Sequence, residues 1–234
     1  MAFKGIVFDL NGVLWWDGRL QENAWRLFSH ALRGKVLSKR EMAAHVHGRC
    51  NRYTLEYLLG CPVVDTELEN LILRKETLYR SMCLRQGDEF RLSPGATELL
   101  NFLANARIPR TVATASGKAN VDFFIRHLAL DRWFDPGRIV YDDGTLPGKP
   151  APDVYLRAAH TLGLAPATCV AVEDSLAGLE SARTAGMGCV AAMGPKKNHG
   201  RLLQSGIADI AVETLAELPR ERLFTASRSH EPDS

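Results

Sequence analysis

The chain has 234 residues, of which 46% are hydrophobic and 24% are charged, the balance of an ordinary globular protein. Its 29 basic and 27 acidic residues leave a net charge of +2, so neither nucleic acid nor a membrane is expected as a partner. The chain shows no apolar run of membrane-spanning length, no signal-peptide pattern and no CxxC pair among five cysteines, so we expect a cytoplasmic protein with reduced thiols.

The first predicted element is a short strand. The apolar run Ile6 to Phe8 is cut abruptly by Asp9, Asn11 and Gly12. Such a run is typical of a strand buried on both faces that ends in a loop. Open α/β sheets place their ligands at this carboxyl end, so Asp9 is a candidate functional acid. The alternative is an Asx-type turn in which Asp9 and Asn11 bond only to backbone.

Helical periodicity then dominates residues 16–88. Apolar residues recur at helical spacing, and Ser38 has the position of an N-cap. The predicted helices cover residues 21–33, 39–46, 51–59 and 65–85. Residues 16–88 are therefore expected to form an all-helical cap domain.

From Ser93 onward, helices and strands alternate. The helices are predicted at 95–105, 118–128, 151–162, 175–185 and 199–205, and the strands at 110–114, 139–141, 169–172, 188–192 and 208–212. This alternation predicts an α/β fold, a doubly wound parallel sheet with helices on both faces. Residues 1–15 and 90–216 would form this core, and the polar segment 217–234 is expected to be a flexible tail.

Polar side chains follow three of the predicted strands. They are Asp9 and Asn11, then Thr114 and Ser116, then Glu173 and Asp174. Lys149 precedes a predicted helix and falls on the same edge, because the carboxyl ends of parallel strands meet there. Taken singly, Thr114 fits a turn residue, Lys149 a solvated lysine and Glu173-Asp174 a helix cap. The ordered set favours one shared site.

This set has a coherent chemistry. Several carboxylates in one place repel each other unless a cation lies between them, and hard oxygen ligands suit magnesium. Thr114 can hydrogen-bond a phosphoryl oxygen, and Lys149 can neutralise its charge. A free oxygen of Asp9 would then be the nucleophile on phosphorus.

Four segments of the chain, in this order, resemble the haloacid dehalogenase superfamily. They are Phe8–Leu14, Val112–Ser116, Gly148–Asp153 and Val172–Leu179. The resemblance extends to about residue 215. Within the superfamily, the chain is most similar to the β-phosphoglucomutase-like phosphatases and mutases, which carry a helical cap. It implies a Rossmann-like core, an enzyme of the phosphatase type and Mg²⁺ as the cofactor.

The resemblance also implies a role for each matching residue. Asp9 is similar to the aspartyl nucleophile and Lys149 to the charge-neutralising lysine. The residues implied to bind phosphate or substrate are Thr114, Ala115, Ser116, Lys149, Gly48, Arg49 and Gln21, and those implied to bind the metal are Asp9, Asn11, Glu173 and Asp174.

Asn11 departs from the family pattern, which has a second aspartate there. An amide still offers its backbone carbonyl to a metal, but its side chain cannot act as a general acid or base. Three explanations are open. The residue is an engineered replacement, the substrate has a good leaving group, or the protein binds a phosphorylated ligand without turning it over.

The cap segment bears on the substrate. His47-Gly48-Arg49 resembles the specificity loop of the family, and Arg49 is a candidate partner for a second anionic group. Gln21 stands where the mutases usually have a histidine, which favours hydrolysis. We therefore expect a Mg²⁺-dependent phosphatase of a small phosphorylated metabolite, such as a sugar phosphate, acting as a monomer or weak dimer. A phosphomutase and a catalytically impaired phosphate-binding protein are the alternatives.

Overall fold

The computed structural model describes residues 2–224, which form a parallel sheet with helices on both faces and a helical cap. The strands are β1 (Gly5–Phe8), β2 (Arg110–Gly117), β3 (Val140–Asp142), β4 (Cys169–Glu173), β5 (Cys189–Met193) and β6 (Ile210–Val212). The cap helices are α1 (Gly18–Arg33), α2 (Lys39–His45), α3 (Asn51–Leu59) and α4 (Asp65–Leu84). The core helices are α5 (Ala96–Asn105), α6 (Lys118–Leu128), α7 (Asp153–Thr161), α8 (Leu176–Thr184), α9 (His199–Gln204) and α10 (Arg220–Phe224).

The six strands of the described residues lie in the order β3-β2-β1-β4-β5-β6, and all neighbours are parallel. The order reverses at β1, which pairs with β2 on one side and β4 on the other. Phe8 lies beside Val112 and Val172, so the carboxyl ends of these three parallel strands face the same edge of the sheet. The predicted doubly wound fold is confirmed, and this edge is its topological switch point.

The central strand is buried on both faces, as its uninterrupted apolar run indicates. All four residues of β1 are buried. Ile6 and Phe8 pack into one hydrophobic core, while Val7, pointing the opposite way, packs into a second core beneath α7 and α8. The strand is therefore fixed by packing from two sides, which holds the loop that follows it.

The cap has a core of its own. Trp25, Phe28, Met42 and Leu55 are among its buried residues. α2 begins with the expected cap at Ser38, whose hydroxyl accepts a hydrogen bond from the Glu41 amide while the Glu41 carboxylate bonds back to the Ser38 amide.

The chain beyond residue 217 differs from the sequence prediction. The predicted flexible tail is wrong for residues 217–224, because α10 packs on the core with Leu223 and Phe224 buried. The amide of Phe3 donates to the Leu223 carbonyl at 2.8 Å, which ties this helix to the start of the chain. Residues 225–234 of that prediction lie outside the described residues. Within residues 2–224, no helix combines the length and apolarity that a membrane crossing needs.

Candidate active site

Lys149 lies at the centre of the candidate site. Its Nζ is 2.8 Å from Oδ1 of Asp9, forms a second ion pair with Glu173 and donates to the carbonyl of Ala113. The side chain is almost fully buried. Burial alone lowers the pKa of Lys149, but the charges of Asp9 and Glu173 outweigh it and raise the pKa, so the ammonium stays charged.

Asp9 directly follows β1, and its amide donates to the Val172 carbonyl at 2.9 Å. The pKa of Asp9 is raised to about 7, because burial and the negative charge of Glu173 together outweigh the opposite effect of Lys149. The position of the Asp9 carboxylate is thus fixed by the strand, and the ammonium of Lys149 neutralises its charge on one side. This is the arrangement that a nucleophile approached by an anionic phosphoryl group needs.

Carboxylate oxygens of Asp9, Glu173 and Asp174 lie within 4.8 Å of one another. Burial and the neighbouring charges of Glu173 and Asp9 raise the pKa of Asp174 well above its usual range. Within residues 2–224, no N–H or O–H group donates a hydrogen bond to the Asp174 carboxylate. An all-oxygen cluster with one unpartnered carboxylate fits Mg²⁺, so the residues present match the implied ion.

Glu173 is already well partnered. One oxygen accepts from Lys149 and Tyr155, and the other accepts from the amides of Asp174 and Ser175 and the Ser175 hydroxyl. Of the three carboxylates, that of Glu173 is therefore the least available to a cation. The ligand role of Glu173 stays a prediction, and its clear contact is with the lysine.

The loop at Gly12 brings these groups together. Gly12 has φ of +81°, in the left-handed region, and a Cβ there would overlap the Asp174 carboxylate. Only glycine meets both conditions without strain. The turn after Asp9 can therefore approach the end of β4 closely enough to share a cation with it.

β2 supplies the hydroxyl side of the site. Thr114 is buried, and its Oγ1 accepts from the Ser116 amide at 3.1 Å. The Ser116 hydroxyl donates to Oδ1 of Asn11 at 2.7 Å. Thr114, Ala115 and Ser116 all line the same cavity as Asp9, while phosphate binding by this segment stays a prediction.

The side chain of Asn11 is bonded at both ends. While its Oδ1 accepts from Ser116, its Nδ2 donates to Oδ2 of Asp17 at 2.7 Å and to the Tyr79 hydroxyl at 3.2 Å. Tyr79 also donates to Asp17, and the Gly12 amide donates to the other Asp17 oxygen. Burial raises the pKa of Asp17. Sequence reasoning missed Asp17, although an acid directly before the first cap helix was a visible signal.

The predicted cap residues reach the site in three different ways. Gly48 lies against Ser175, where a Cβ would overlap the hydroxyl. Arg49 donates to the Lys149 carbonyl at 3.0 Å and stacks on Tyr53, so its contact is with the core loop. Gln21 accepts a hydrogen bond from Lys75 at 2.9 Å.

A cavity of about 200 Å³ lies between cap and core, and every predicted site residue named above except Lys149 and Glu173 lines it. Lys75, Glu76 and Asn51 also line it and were not predicted as site residues. Lys75 and Glu76 interrupt the apolar stripe of α4, which also contains Leu71 and Tyr79. Two adjacent charged residues at apolar-stripe positions of a helix were the signal available in the sequence.

A nucleophile-like aspartate, a buried lysine and an oxygen cluster at the switch point of a parallel sheet, beneath a helical cap, define a capped α/β hydrolase of the phosphoryl-transfer class. The model of the haloacid dehalogenase-like hydrolase family matches residues 3–186. The chain belongs to this family and is an enzyme of its hydrolase and phosphatase class.

Named relatives agree with this assignment. The chain is 27% identical over 222 residues to the phosphorylated carbohydrates phosphatase of Thermotoga maritima, covering 94% of this chain and 100% of the relative. It is 30% identical over 221 residues to the β-phosphoglucomutase of Bacillus subtilis, covering 92% and 94%. A crystal structure of a HAD hydrolase, family IA, variant 3, from Entamoeba histolytica superposes with a TM-score of 0.82 at 34% identity, covering 94% of this chain and 97% of that one.

Proposed function

We propose that this protein is a Mg²⁺-dependent phosphatase of a small phosphorylated carbohydrate, acting through an aspartyl-phosphate at Asp9. The observation that carries the proposal is the Asp9–Lys149 contact of 2.8 Å beside the carboxylate of Asp174, which accepts no hydrogen bond from residues 2–224. The name of the Thermotoga maritima relative supports a carbohydrate phosphate as the substrate class.

The residues have distinct tasks in this reaction. The ammonium of Lys149 and the hydroxyl of Thr114 hold the phosphoryl oxygens, and an oxygen of Asp9 forms a bond to phosphorus as the bond to the sugar oxygen breaks. Mg²⁺ held by Asp9, Asp174 and the Asn11 carbonyl would supply charge neutralisation at the phosphoryl group. Water then attacks phosphorus and breaks its bond to the Asp9 oxygen, which releases phosphate and restores the carboxylate. Solvent protonates the departing sugar oxygen and takes the proton of the attacking water.

Asn11 sets the limit on the rate. Its amide is bonded to Asp17 and Ser116 and has no proton to give to the leaving alkoxide. A missing general acid typically costs about 10²–10⁴ in rate. We therefore propose slow turnover of ordinary sugar phosphates, or a substrate whose leaving group needs no acid.

The phosphomutase is the second candidate, favoured by the 30% identity with the Bacillus subtilis enzyme. Gln21 speaks against it. Its amide oxygen is held by Lys75, and an amide cannot relay a proton as the histidine of the mutases would.

Phosphate release from a panel of hexose phosphates, hexitol phosphates and p-nitrophenyl phosphate tests the proposal. We expect Mg²⁺-dependent release by the wild-type chain, faster release by Asn11→Asp and none by Asp9→Ala. Acid-quenched protein should carry one phosphoryl group on the peptide that contains Asp9. If neither the wild type nor Asn11→Asp releases phosphate while both bind Mg²⁺, the phosphatase proposal is wrong and the binding-protein alternative remains.

A further inference from the structure

Glu76 of α4 is a buried carboxylate that joins the cap to the core. It is 6% exposed. Its Oε1 accepts from Asn51 Nδ2 at 2.9 Å and from Lys75 Nζ at 3.0 Å, and its Oε2 accepts from Asn120 Nδ2 at 2.6 Å. Asn51 and Lys75 belong to the cap, whereas Asn120 belongs to core helix α6. The Glu76 carboxylate therefore accepts hydrogen bonds from two donors of the cap and from one donor of the core.

The orientation of Asn120 is fixed by a second bond. Its Oδ1 accepts from Nη1 of Arg80 at 2.8 Å, and the side chain is 2% exposed. If the amide flipped, its Nδ2 would face the Arg80 guanidinium, donor against donor. The donor end of Asn120 therefore points at Glu76, and the loss of this donor would leave a buried carboxylate oxygen without its hydrogen bond.

Part of this cluster lines the cavity. Lys75, Asn51 and Glu76 of the cap contribute to its wall, as do Asp9 and Thr114 of the core. Asn120 is in the first turn of α6, directly after the strand that carries Thr114 and Ser116. Displacement of Glu76 would move the cap wall relative to the phosphate-holding strand.

Lys75 depends on Glu76 for its place in the wall. Its side chain is 2% exposed, and its ammonium bonds Gln21 and Glu76 and lies 4.5 Å from the ring centre of Trp25. Two of the three N–H donors of Lys75 are bonded to these acceptors, and the aromatic ring occupies another side of the ammonium. The direction of the third N–H is therefore fixed by the other contacts. Glu76 supplies one of those acceptors.

We propose that Glu76 is a positioning residue: through Asn120 it fixes Lys75 and Asn51 of the cap at a set distance from the phosphate-holding strand, and so determines how the non-phosphate part of the substrate is held. The kinetic part of this inference rests on the proposed phosphatase function. The geometric part concerns the cap–core boundary and holds independently of catalysis.

A carboxylate–amide exchange tests the contact directly. In Glu76→Gln the new Nε2 faces Nδ2 of Asn120, and in Asn120→Asp two carboxylates face each other, so each single variant breaks the bond. The double variant Glu76→Gln with Asn120→Asp restores a donor–acceptor pair, and Arg80 still bonds the new carboxylate. Glu69→Gln, an exposed position of the same helix, is the matched control.

The kinetic comparison uses the hexose phosphate that the wild type hydrolyses fastest, beside p-nitrophenyl phosphate, which lacks the sugar hydroxyls. We expect each single variant to raise KM for the hexose phosphate about tenfold or more, with kcat for p-nitrophenyl phosphate within about twofold of wild type, because lost substrate positioning affects binding first. The double variant should return KM to within about threefold. Equal losses on both substrates that follow thermal stability would overturn the proposal and leave a merely structural role.

Amide hydrogen exchange of α4 and α6 provides a readout that needs no catalysis. We expect faster exchange at residues 70–84 and 118–128 in each single variant and wild-type exchange in the double variant. If the effects of the two substitutions simply multiply, the contact does not couple cap to core and the proposal fails. A wild-type chain that hydrolyses no phosphomonoester would refute the proposed function, while the exchange result would still decide the role of Glu76.

Discussion

The side-chain amide of Asn11 donates a hydrogen bond of 2.7 Å to the buried carboxylate of Asp17. Asp17 is 1% exposed, and its oxygens also accept from Tyr79 and from the Gly12 amide. An amide at position 11 therefore matches an acceptor at position 17. The surroundings of Asn11 fit an asparagine, and an aspartate there would meet a second acid.

The first prediction follows from this pair. Asn11→Asp removes the donor to Asp17, and we expect it to lower the free energy of unfolding by about 1–3 kcal/mol, the usual cost of an unsatisfied buried acceptor. Adding Asp17→Asn restores one donor and one acceptor, so the double variant should regain most of that stability. Urea denaturation measures both effects.

The same double variant also carries an acid at position 11. It should release phosphate faster than the wild type, by up to about 10²–10⁴, if the missing acid limits the reaction. Asp17→Asn alone is the control, because it changes the pair without adding an acid. A double variant no more stable than Asn11→Asp would show that the Asn11–Asp17 bond contributes little.

The second prediction concerns the metal. Because Asp9, Glu173 and Asp174 repel each other, we expect the melting temperature to be lower in EDTA than in Mg²⁺. An ion at 100 times its Kd adds about 2.7 kcal/mol to the free energy of unfolding. Asp174→Asn should raise the melting temperature in EDTA and abolish the Mg²⁺ response, as differential scanning calorimetry would measure.

The exposed Asp131→Asn is the control for the metal prediction, since it removes one negative charge that does not belong to the cluster. It should keep the Mg²⁺ response of the wild type. An Mg²⁺ response that survives Asp174→Asn unchanged would contradict the assignment of this carboxylate as a ligand.

The third prediction separates stability from catalysis at Lys149. Lys149→Met leaves the buried carboxylates of Asp9 and Glu173 without their cation, and breaking such a buried pair costs about 3–5 kcal/mol. Adding Glu173→Gln removes one of the two unpaired charges. We therefore expect the double variant to recover part of the stability, in urea denaturation, but none of the phosphate release. Recovery of both would mean that the lysine has no chemical task.

Much of the fold was predictable from short-range patterns. The helices at residues 51–59 and 118–128 have the predicted bounds, because apolar spacing and a C-terminal glycine or a strand-to-helix change define them locally. The common edge of β1, β2 and β4 follows from parallel pairing, so the approach of Asp9, Thr114 and Asp174 was predictable without coordinates.

What the sequence could not supply was the pairing of distant side chains. The contacts Asn11–Tyr79 and Glu76–Asn120 join residues 68 and 44 positions apart. They depend on how the cap packs on the core, which no local periodicity encodes. The same holds for the end of the chain, where polar neighbours made residues 217–224 resemble a frayed tail although Leu223 and Phe224 are buried.

The fourth prediction is the pH dependence of the Glu76 contribution to stability. Burial raises the pKa of Glu76, but the charge of Lys75 and the hydrogen bonds from Asn120, Asn51 and Lys75 outweigh it, so the pKa in the folded protein lies below the ordinary value of 4.5. Between these two values the unfolded chain binds more protons, and stability rises with pH. The contribution is therefore complete above about pH 4.5 and is lost as the pH falls through the lowered pKa.

Glu76→Gln cannot titrate, so the difference in free energy of unfolding between wild type and this variant isolates the effect. We expect a constant difference at neutral pH that shrinks as the solution becomes more acidic than about pH 4.5, measured by urea denaturation at a series of pH values. The exposed Glu69→Gln should differ little from wild type throughout. A wild-type advantage that grows on acidification would mean that Glu76 is protonated in the folded protein, and its three hydrogen bonds would then need a different assignment.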